Sequence, residues 1–225
     1  MALDFNGADS ETAAVASGAG ATAAPLTLAC WVNPDTVSGA DGLVNLDDGD
    51  TSDVFLLYLN AGVITGFVSV SGVTDSCTAG TAIGTGAWSH AAVVFASASS
   101  RTAYKNGVAG TEATLSRTPA GIVAIRLGSQ AGTNFMDGKL AEVGIWNVAL
   151  NADEVAALAK GFSPQLIRPA SLVHYYPLIR GTVNTGGGST TTRDRGKGAA
   201  HLDEVNTPTL ADHNLRVIYP VGGPF

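Results

Sequence analysis

The chain has 225 residues, a length at which an all-β sandwich of about 200–250 residues commonly forms one domain. Hydrophobic residues make up 45% and charged residues 14%, which excludes an intrinsically disordered chain. Twelve Lys and Arg against 19 Asp and Glu give a net charge of −7, which disfavours a general nucleic-acid binder, because phosphate contacts need clustered cations.

The first nine residues lack both the basic start and the long apolar stretch of a secretory signal. No run reaches the about 18–20 apolar residues that a membrane-spanning helix needs. We therefore expect no membrane association and a product made in the cytoplasm, which is also where virion components fold.

The first half of the chain is predicted to form short strands separated by turns. Residues 3–7 alternate apolar and polar side chains and predict a first edge strand, and the small residues of 13–24 predict a loop. A strand is predicted over 26–32, ended by Asn33-Pro34, and an acidic loop over 41–53. Two further strands, 54–59 and 63–70, flank the turn Asn60-Ala61-Gly62.

The second half continues the pattern and contains one helix. Strands are predicted over 88–95, 101–105, 122–127, 139–146 and 172–178. Asn106-Gly107 is typical of a type I′ hairpin turn, because both residues tolerate positive φ. Asn151 followed by Glu154 predicts a capped helix over 151–160. Residues 184–199, rich in Gly, Thr and Ser, predict a flexible loop, and 215–219 a closing strand. Many short strands with frequent Gly favour a sandwich or barrel.

Four segments in succession carry a family likeness. They are Leu-Thr-Leu-Ala-Cys-Trp-Val ending at Val32, Trp-Ser-His-Ala-Ala-Val-Val beginning at Trp88, Ala-Tyr-Lys-Asn-Gly-Val ending at Val108, and Phe-Met-Asp-Gly-Lys-Leu-Ala-Glu-Val-Gly-Ile-Trp-Asn beginning at Phe135 and running into the predicted helix. With these segments the chain resembles the laminin-G-like jelly-roll branch of the concanavalin A-like lectin/glucanase superfamily.

The resemblance implies an all-β fold, a two-sheet antiparallel jelly-roll sandwich with the short helix near 151–160. It covers residues 1–180, which we predict to form the sandwich. We predict that residues 181–225 form a C-terminal loop and extension that packs on the sandwich or on a partner. The tail is similar to the tails of phage-encoded members of the family, and this likeness implies a virion protein.

Catalysis is not expected. Glucanases of this family place two carboxylates on one face of a strand, on either side of the scissile bond. Glu142 is the only carboxylate in the strand predicted over 139–146, and its period-two neighbours are Leu140 and Gly144. The four histidines are scattered along the sequence, and His90 is predicted to be a packed strand histidine. No catalytic residues are therefore predicted.

A calcium site is the one metal centre that the sequence suggests. Asp47, Asp48, Asp50 and Asp53 lie in one predicted loop, and calcium prefers several oxygen ligands. The family often carries calcium at a sandwich rim, which makes Asp137 a further candidate. The alternative is a solvated acidic turn. No other cofactor is expected.

The remaining candidate groups have structural interpretations. Trp31, Trp88 and Trp146 are expected to pack in the core, whereas Tyr175, Tyr176 and Tyr219 are candidates for an exposed sugar platform. Cys30 and Cys77 either pack as free thiols or pair if their strands are neighbours. The cluster Arg193, Arg195 and Lys197, which encloses Asp194, predicts a solvated loop.

Two functions follow as hypotheses. The first is a non-enzymatic virion surface component, a capsid decoration or fibre protein that forms a homo-oligomer and docks on other virion or capsid proteins. The second is a lectin-like carbohydrate-binding module that binds glycans, with calcium as an optional requirement. Neither hypothesis involves nucleic acid or a membrane.

Overall fold

A computed structural model describes residues 2–178, 191–213 and 215–220, which form two stacked antiparallel sheets. The strands are β1 Ala2–Phe5, β2 Thr12–Val15, β3 Leu26–Pro34, β4 Ala40–Asp47, β5 Val54–Asn60, β6 Val63–Val70, β7 Val73–Ala79, β8 Ser89–Ser97, β9 Ser100–Lys105, β10 Val108–Ala109, β11 Ala124–Leu127, β12 Gly138–Trp146, β13 Leu172–Tyr176, β14 Thr191–Thr192, β15 Leu202–Val205 and β16 Thr209–Ala211. Sheet A has the order β10-β9-β8-β3-β12-β1-β16, with β13 also paired to β12, and sheet B has the order β14-β15-β2-β11-β4-β5-β6-β7.

The main core lies between the sheets, because one face of each central strand is apolar. In β3, Leu28, Cys30 and Val32 point inward, and they meet Leu57 and Leu59 of β5. Adjacent residues of each strand therefore point to the outer faces of the sandwich. The predicted all-β sandwich is confirmed by this architecture.

Both cysteines face this core as free thiols. Cys30 and Cys77 are buried on strands of different sheets, and Cys77 Sγ donates to the carbonyl of Gly66. Of the two alternatives that the sequence allowed, the disulfide is therefore not formed, and the two thiols pack as small apolar groups.

The single α-helix within the described residues, α1 Ala152–Ala159, covers part of the outer face of sheet A. Its predicted capping box is present: the Asn151 side chain accepts from the Glu154 backbone N–H, and the Glu154 carboxylate accepts from the Asn151 N–H. Val155 and Leu158 of the helix pack in a second apolar cluster with Trp146. The outer face of sheet A is therefore partly closed.

The hairpin between β9 and β10 forms as the sequence predicts. Asn106 and Gly107 have φ of 50° and 81°, as the two central residues of a type I′ turn require. The Asn106 side chain also accepts from the backbone N–H of His90, which fixes the turn against β8.

Several predicted boundaries are wrong. The predicted acidic loop 41–53 begins inside β4, because Val44 and Leu46 face the core while Asn45 and Asp47 face outward. The predicted loop 13–24 contains most of β2. The strand at residues 3–7 is not an edge, since β1 pairs on one side with β12 and on the other with β16.

The C-terminal segment differs most from its prediction. Within the predicted flexible loop 184–199, residues 184–190 lie outside the described part of the chain, whereas 191–192 form β14 and Asp194 is buried. The predicted strand 215–219 makes only an isolated bridge, between Ile218 and Phe162, and the strand of this region is β16. The division at residue 180 stays a prediction, although β14 and β15 extend sheet B and β16 extends sheet A.

Candidate functional site

The outer face of sheet B carries a mixed aromatic and polar surface. The strand register places Arg126, Asn45, Leu56 and Phe67 in one row across β11, β4, β5 and β6. A second row contains Tyr58 and Thr65. These residues alternate with those that face the core, so their side chains point away from the sandwich interior.

Two rings form the apolar part of this surface. Tyr58 and Phe67 meet edge to face, with ring centroids 6.0 Å apart and an interplanar angle of 80°. Both side chains are half-buried. A partly exposed pair of rings on the outer face of a sheet offers a stacking surface that two fully buried rings would not.

A hydrogen-bonded polar group lies on the same sheet face as the rings, with Leu56 between Asn45 and Phe67 in the row. The buried carboxylate of Asp47 accepts from Arg126 Nε at 2.8 Å and from Asn45 Nδ2 at 2.7 Å through Oδ2, and from the Gly49 N–H at 2.8 Å through Oδ1. Asn45 is fully buried, and its Oδ1 lacks a hydrogen-bond partner among the described atoms. We call the five side chains Asn45, Asp47, Tyr58, Phe67 and Arg126 the sheet B surface.

The structure separates the candidate metal ligands. Asp47 is paired with Arg126. Asp48 and Asp50 accept from backbone N–H groups of their own turn, and Asp53 accepts from the N–H groups of residues 71 and 120. Asp137 lies near the opposite end of β4, in the loop before β12. Within the described ranges, no three Asp, Glu, His or Cys side chains are grouped so that they could hold a metal ion.

Asp137 has a neighbour that the sequence did not suggest. Asp41, at the start of β4, is 5% exposed, and its Oδ2 lacks a hydrogen-bond partner among the described atoms. Burial, together with the negative charge of Asp137, raises the pKa of Asp41 from 3.8 to about 6. Neither effect follows from the predicted acidic loop 41–53, because both depend on the burial of Asp41 in β4.

Glu142, the strand carboxylate considered for catalysis, is buried on the outer side of sheet A. It lies at a bulge in β12 with a φ of 53°, and it is 3% exposed. Tyr175 donates to its Oε2 at 2.6 Å and Tyr219 to its Oε1 at 2.9 Å. Burial raises its pKa from 4.5 to about 7, against the opposing effect of the two tyrosines and Arg195. Both oxygens are occupied, which suits a structural acid better than a nucleophile.

The candidate aromatics divide differently from the prediction. Trp146 is fully buried, as predicted, and donates to the carbonyl of Ile167. Trp31 and Trp88 are only half-buried, and Trp88 precedes β8 instead of lying within it. Tyr175 and Tyr176 are fully buried and Tyr219 is half-buried, so the predicted tyrosine platform is wrong for the first two.

His90 is 2% exposed and packed in β8 against the Trp31 ring, at a centroid distance of 5.5 Å, which confirms its interpretation as a packed histidine. Burial lowers the pKa of His90 to about 3. The ring is therefore neutral near pH 7, and its Nδ1 lacks a hydrogen-bond partner among the described atoms.

Two other histidines, scattered in sequence, both bond to Asp194, His174 at its buried carboxylate and His201 at its backbone N–H. Asp194 pairs with His174 Nδ1 at 2.8 Å, and its own backbone N–H donates to His201 Nδ1 at 3.1 Å. The second ring nitrogen of His174 bonds the carbonyl of Ala19. The Asp194–His174 pair is therefore not arranged to activate a nucleophilic side chain. Of the predicted solvated cluster, Arg193 and Lys197 are exposed, whereas the enclosed Asp194 is not.

Similar structures share this fold at low sequence identity. A candidate carbohydrate-binding protein from Bacteroides ovatus matches with a TM-score of 0.66 and 18% identity, over 96% of this chain and 61% of that protein, so the chain spans less than two thirds of it. A heptameric pentraxin from Limulus polyphemus matches with a TM-score of 0.56 and 15% identity, over 70% of this chain and 81% of that one. Domain 4 of an extracellular arabinanase from Geobacillus stearothermophilus, in complex with arabinotriose, matches with a TM-score of 0.54 and 19% identity, over 65% of this chain and 71% of that one.

No helix among the described residues is long and apolar enough to cross a membrane. No curated protein matches the chain. A laminin-G-type family model matches residues 6–156, which include the four segments noted in the sequence and most of both sheets. With this match and the two-sheet lectin-like fold, the chain belongs to the concanavalin A-like lectin/glucanases superfamily.

Proposed function

We propose that this chain is a non-enzymatic glycan-binding domain, and that it binds through the sheet B surface. The observation that carries the proposal is the half-buried Tyr58–Phe67 ring pair on the same sheet face as the partly exposed Arg126, which Asp47 holds in place. Helix α1 lies on the other sheet, so it does not cover this surface.

The chemistry of the surface suits a sugar. Pyranose rings have apolar C–H faces that pack on aromatic rings, while their hydroxyls need donors and acceptors at fixed positions. Arg126 is held by Asp47, so its donors lose little freedom on binding. The fully buried Asn45 donates to Asp47 and so helps to hold the carboxylate that orients Arg126. Two similar structures are named for carbohydrate binding or contain an oligosaccharide, which supports the same ligand class.

The absence of catalysis is part of the proposal. A glycosidase needs a carboxyl group that reaches the substrate and a second one across the bond. Glu142 is enclosed by two tyrosine hydroxyls. We therefore expect bound oligosaccharides to be released unchanged, as thin-layer chromatography after prolonged incubation would show.

The binding test compares surface variants on a panel of neutral oligosaccharides. Tyr58→Ala and Phe67→Ala are expected to weaken binding at least tenfold, since each removes half of the stacking surface. Leu115→Ala, at a 57% exposed position away from these rings, is the control. Isothermal titration and a glycan array give the affinities. A folded wild-type protein that binds no glycan on a broad array would refute the proposal, as would equal losses in the control.

A second candidate is a virion surface protein, made in the host cytoplasm, that assembles as a homo-oligomer or docks on capsid proteins. It is favoured by three partly exposed apolar side chains, Phe162 and Leu166 after α1 and Ile218 in the C-terminal segment, which are 38%, 37% and 42% exposed. Light scattering and co-sedimentation with assembled particles test it. A protein that stays monomeric and binds no particle would contradict it. The two functions are compatible, since a surface protein can also bind glycans.

A further inference from the structure

The C-terminal segment lies across the outer face of sheet A as an extended chain. We call the described residues 212, 213 and 215–220 the strap. Before the strap, β16 pairs with β1 at the edge of the sheet. Along the strap, His213 contacts the Trp88 ring at 5.9 Å, and Ile218 exchanges backbone hydrogen bonds with Gly161 and Ser163. The strap therefore touches both the region before β8 and the end of α1.

The strap is thinly packed. Residues 213, 215, 217 and 219 are half-buried, whereas 212, 216 and 218 are exposed, and no described strap residue is fully buried. This alternation is typical of an extended chain that rests one side on a surface. Segments with few buried apolar contacts open locally more easily than the core strands do.

The strap contacts Trp88, just before β8, and Glu142 of β12, and the outer face of sheet A from β8 to β12 carries groups with unused binding capacity. Trp31, His90 and Asn33 share the outer face, since Cys30 and Val32 between them face the core. His90 Nδ1 and Asn33 Oδ1 are buried and lack hydrogen-bond partners among the described atoms. Such groups are costly unless something else satisfies them.

One anchor of the strap is itself at a strained position. Glu142 has a φ of 53° at the β12 bulge, directly after the residue that pairs with Trp31, and its Oε1 accepts from Tyr219 of the strap. Positive φ at a residue other than Gly, and bulges in a strand, both concentrate at functional sites. Displacing the strap would free this carboxylate oxygen for another donor.

We propose that the strap is displaceable and masks a second saccharide-binding face on sheet A, formed by Trp31, Trp88, His90, Asn33 and Glu142. The half-buried tryptophans supply stacking surface, His90 and Asn33 supply unpaired polar atoms, and Glu142 supplies an acceptor for sugar hydroxyls. The ligand class is a neutral oligosaccharide. Asp4 and Asp35 border the face around Lys139, and their charges disfavour an acidic sugar.

A reversible lock tests the proposal in the full chain. Phe162 and Ile218 are bridge partners, so Phe162→Cys/Ile218→Cys can close a disulfide that ties the strap down. The native thiols Cys30 and Cys77 are buried and do not compete. Oxidation then gives the locked form, and reduction gives a form in which the strap can open, called here the released form. Both forms come from one preparation of the same protein.

The readouts are acrylamide quenching of tryptophan fluorescence and titration with the neutral oligosaccharide panel. The reduced form is expected to show stronger quenching and at least tenfold tighter binding than the oxidised form. Trp31→Ala in the reduced form is expected to remove this gain, whereas Tyr58→Ala is expected to leave it, which separates this face from the sheet B surface. If the double variant does not fold, a second pair of proteins serves the same comparison. Ile218→Asp places a charge against Phe162 and stands for the form with the loosened strap, and the wild type stands for the form with the docked strap.

Two results would overturn the proposal. Equal quenching in the locked and released forms would show that the strap does not move. Stronger quenching without any gain in oligosaccharide binding would show that the uncovered face is not a saccharide site. Both results leave the sheet B surface unaffected, because that surface is tested by the Tyr58→Ala and Phe67→Ala variants of the wild-type protein.

Discussion

Replacing Glu142 by Gln is predicted to remove part of the pH dependence of the free energy of unfolding. In the folded protein, burial raises the pKa of Glu142 to about 7, against the opposing effect of hydrogen bonds from Tyr175 and Tyr219 and of the charge of Arg195. The folded state therefore binds this proton more tightly than the unfolded chain, in which the pKa is near its ordinary 4.5. The protonated Glu142 therefore contributes to the free energy of unfolding. This contribution is complete below about pH 4.5 and is lost as the pH rises through about 7.

The magnitude follows from that difference. A change in pKa from 4.5 to about 7 corresponds to about 3 kcal/mol of unfolding free energy, at about 1.4 kcal/mol for each tenfold change in proton affinity. Gln has the same shape and no charge, and the two tyrosine hydroxyls can reorient towards its amide. Glu142→Gln is thus expected to be as stable as the wild type or more stable at pH 8, and to lose most of this dependence on pH.

Urea unfolding at pH 5, 6, 7 and 8 measures the effect. The difference in unfolding free energy between wild type and Glu142→Gln is expected to change by about 2–3 kcal/mol across this range, in favour of the variant at the alkaline end. Glu112→Gln, at an exposed position, is the matched control and is expected to keep the wild-type profile. Parallel profiles for wild type and Glu142→Gln would show that the buried carboxyl does not titrate as inferred.

Three further variants probe other parts of the molecule. Asp194→Asn is expected to destabilise the fold by about 2–4 kcal/mol in urea unfolding, because the buried carboxylate accepts from His174 and from several backbone N–H groups that an amide nitrogen cannot satisfy; an unchanged midpoint would contradict this. Asp41→Asn is expected to stabilise the protein by about 1–2 kcal/mol at pH 8 and by little near pH 4, because the raised pKa of Asp41 means that its charged form is unfavourable in the folded protein. Thermal melts at both pH values show whether the variant is more stable than the wild type. Asn151→Ala is expected to lower the free energy of unfolding by about 1 kcal/mol, because the helix loses its N-cap. Asn151→Ser, which can still cap the helix, should retain most of the wild-type stability in the same urea assay.

The parts of the fold that sequence reasoning recovered are those with strong local signals. Residues 63–70 form β6 with the predicted bounds, and the Asn106-Gly107 turn and the Asn151 cap take their expected forms. In each case a short pattern of side chains strongly favours one local backbone conformation. β4 was missed because its outward residues are Asp and Asn, which are depleted in strands unless tertiary contacts such as the Asp47–Arg126 pair compensate.

The candidate sites depend on contacts between residues that are distant in sequence, and this is why local patterns did not reveal them. The Tyr58–Phe67 pair requires the register of β5 and β6, and the Asp47–Arg126 pair joins residues 79 positions apart. The Tyr219–Glu142 bond joins residues 77 positions apart and depends on the course of the C-terminal segment. According to the two proposals, one saccharide-binding face lies on sheet B and a second, on sheet A, is covered by the C-terminal segment. Since the two faces lie on different sheets and share no residue, variants of each can be compared within one folded protein.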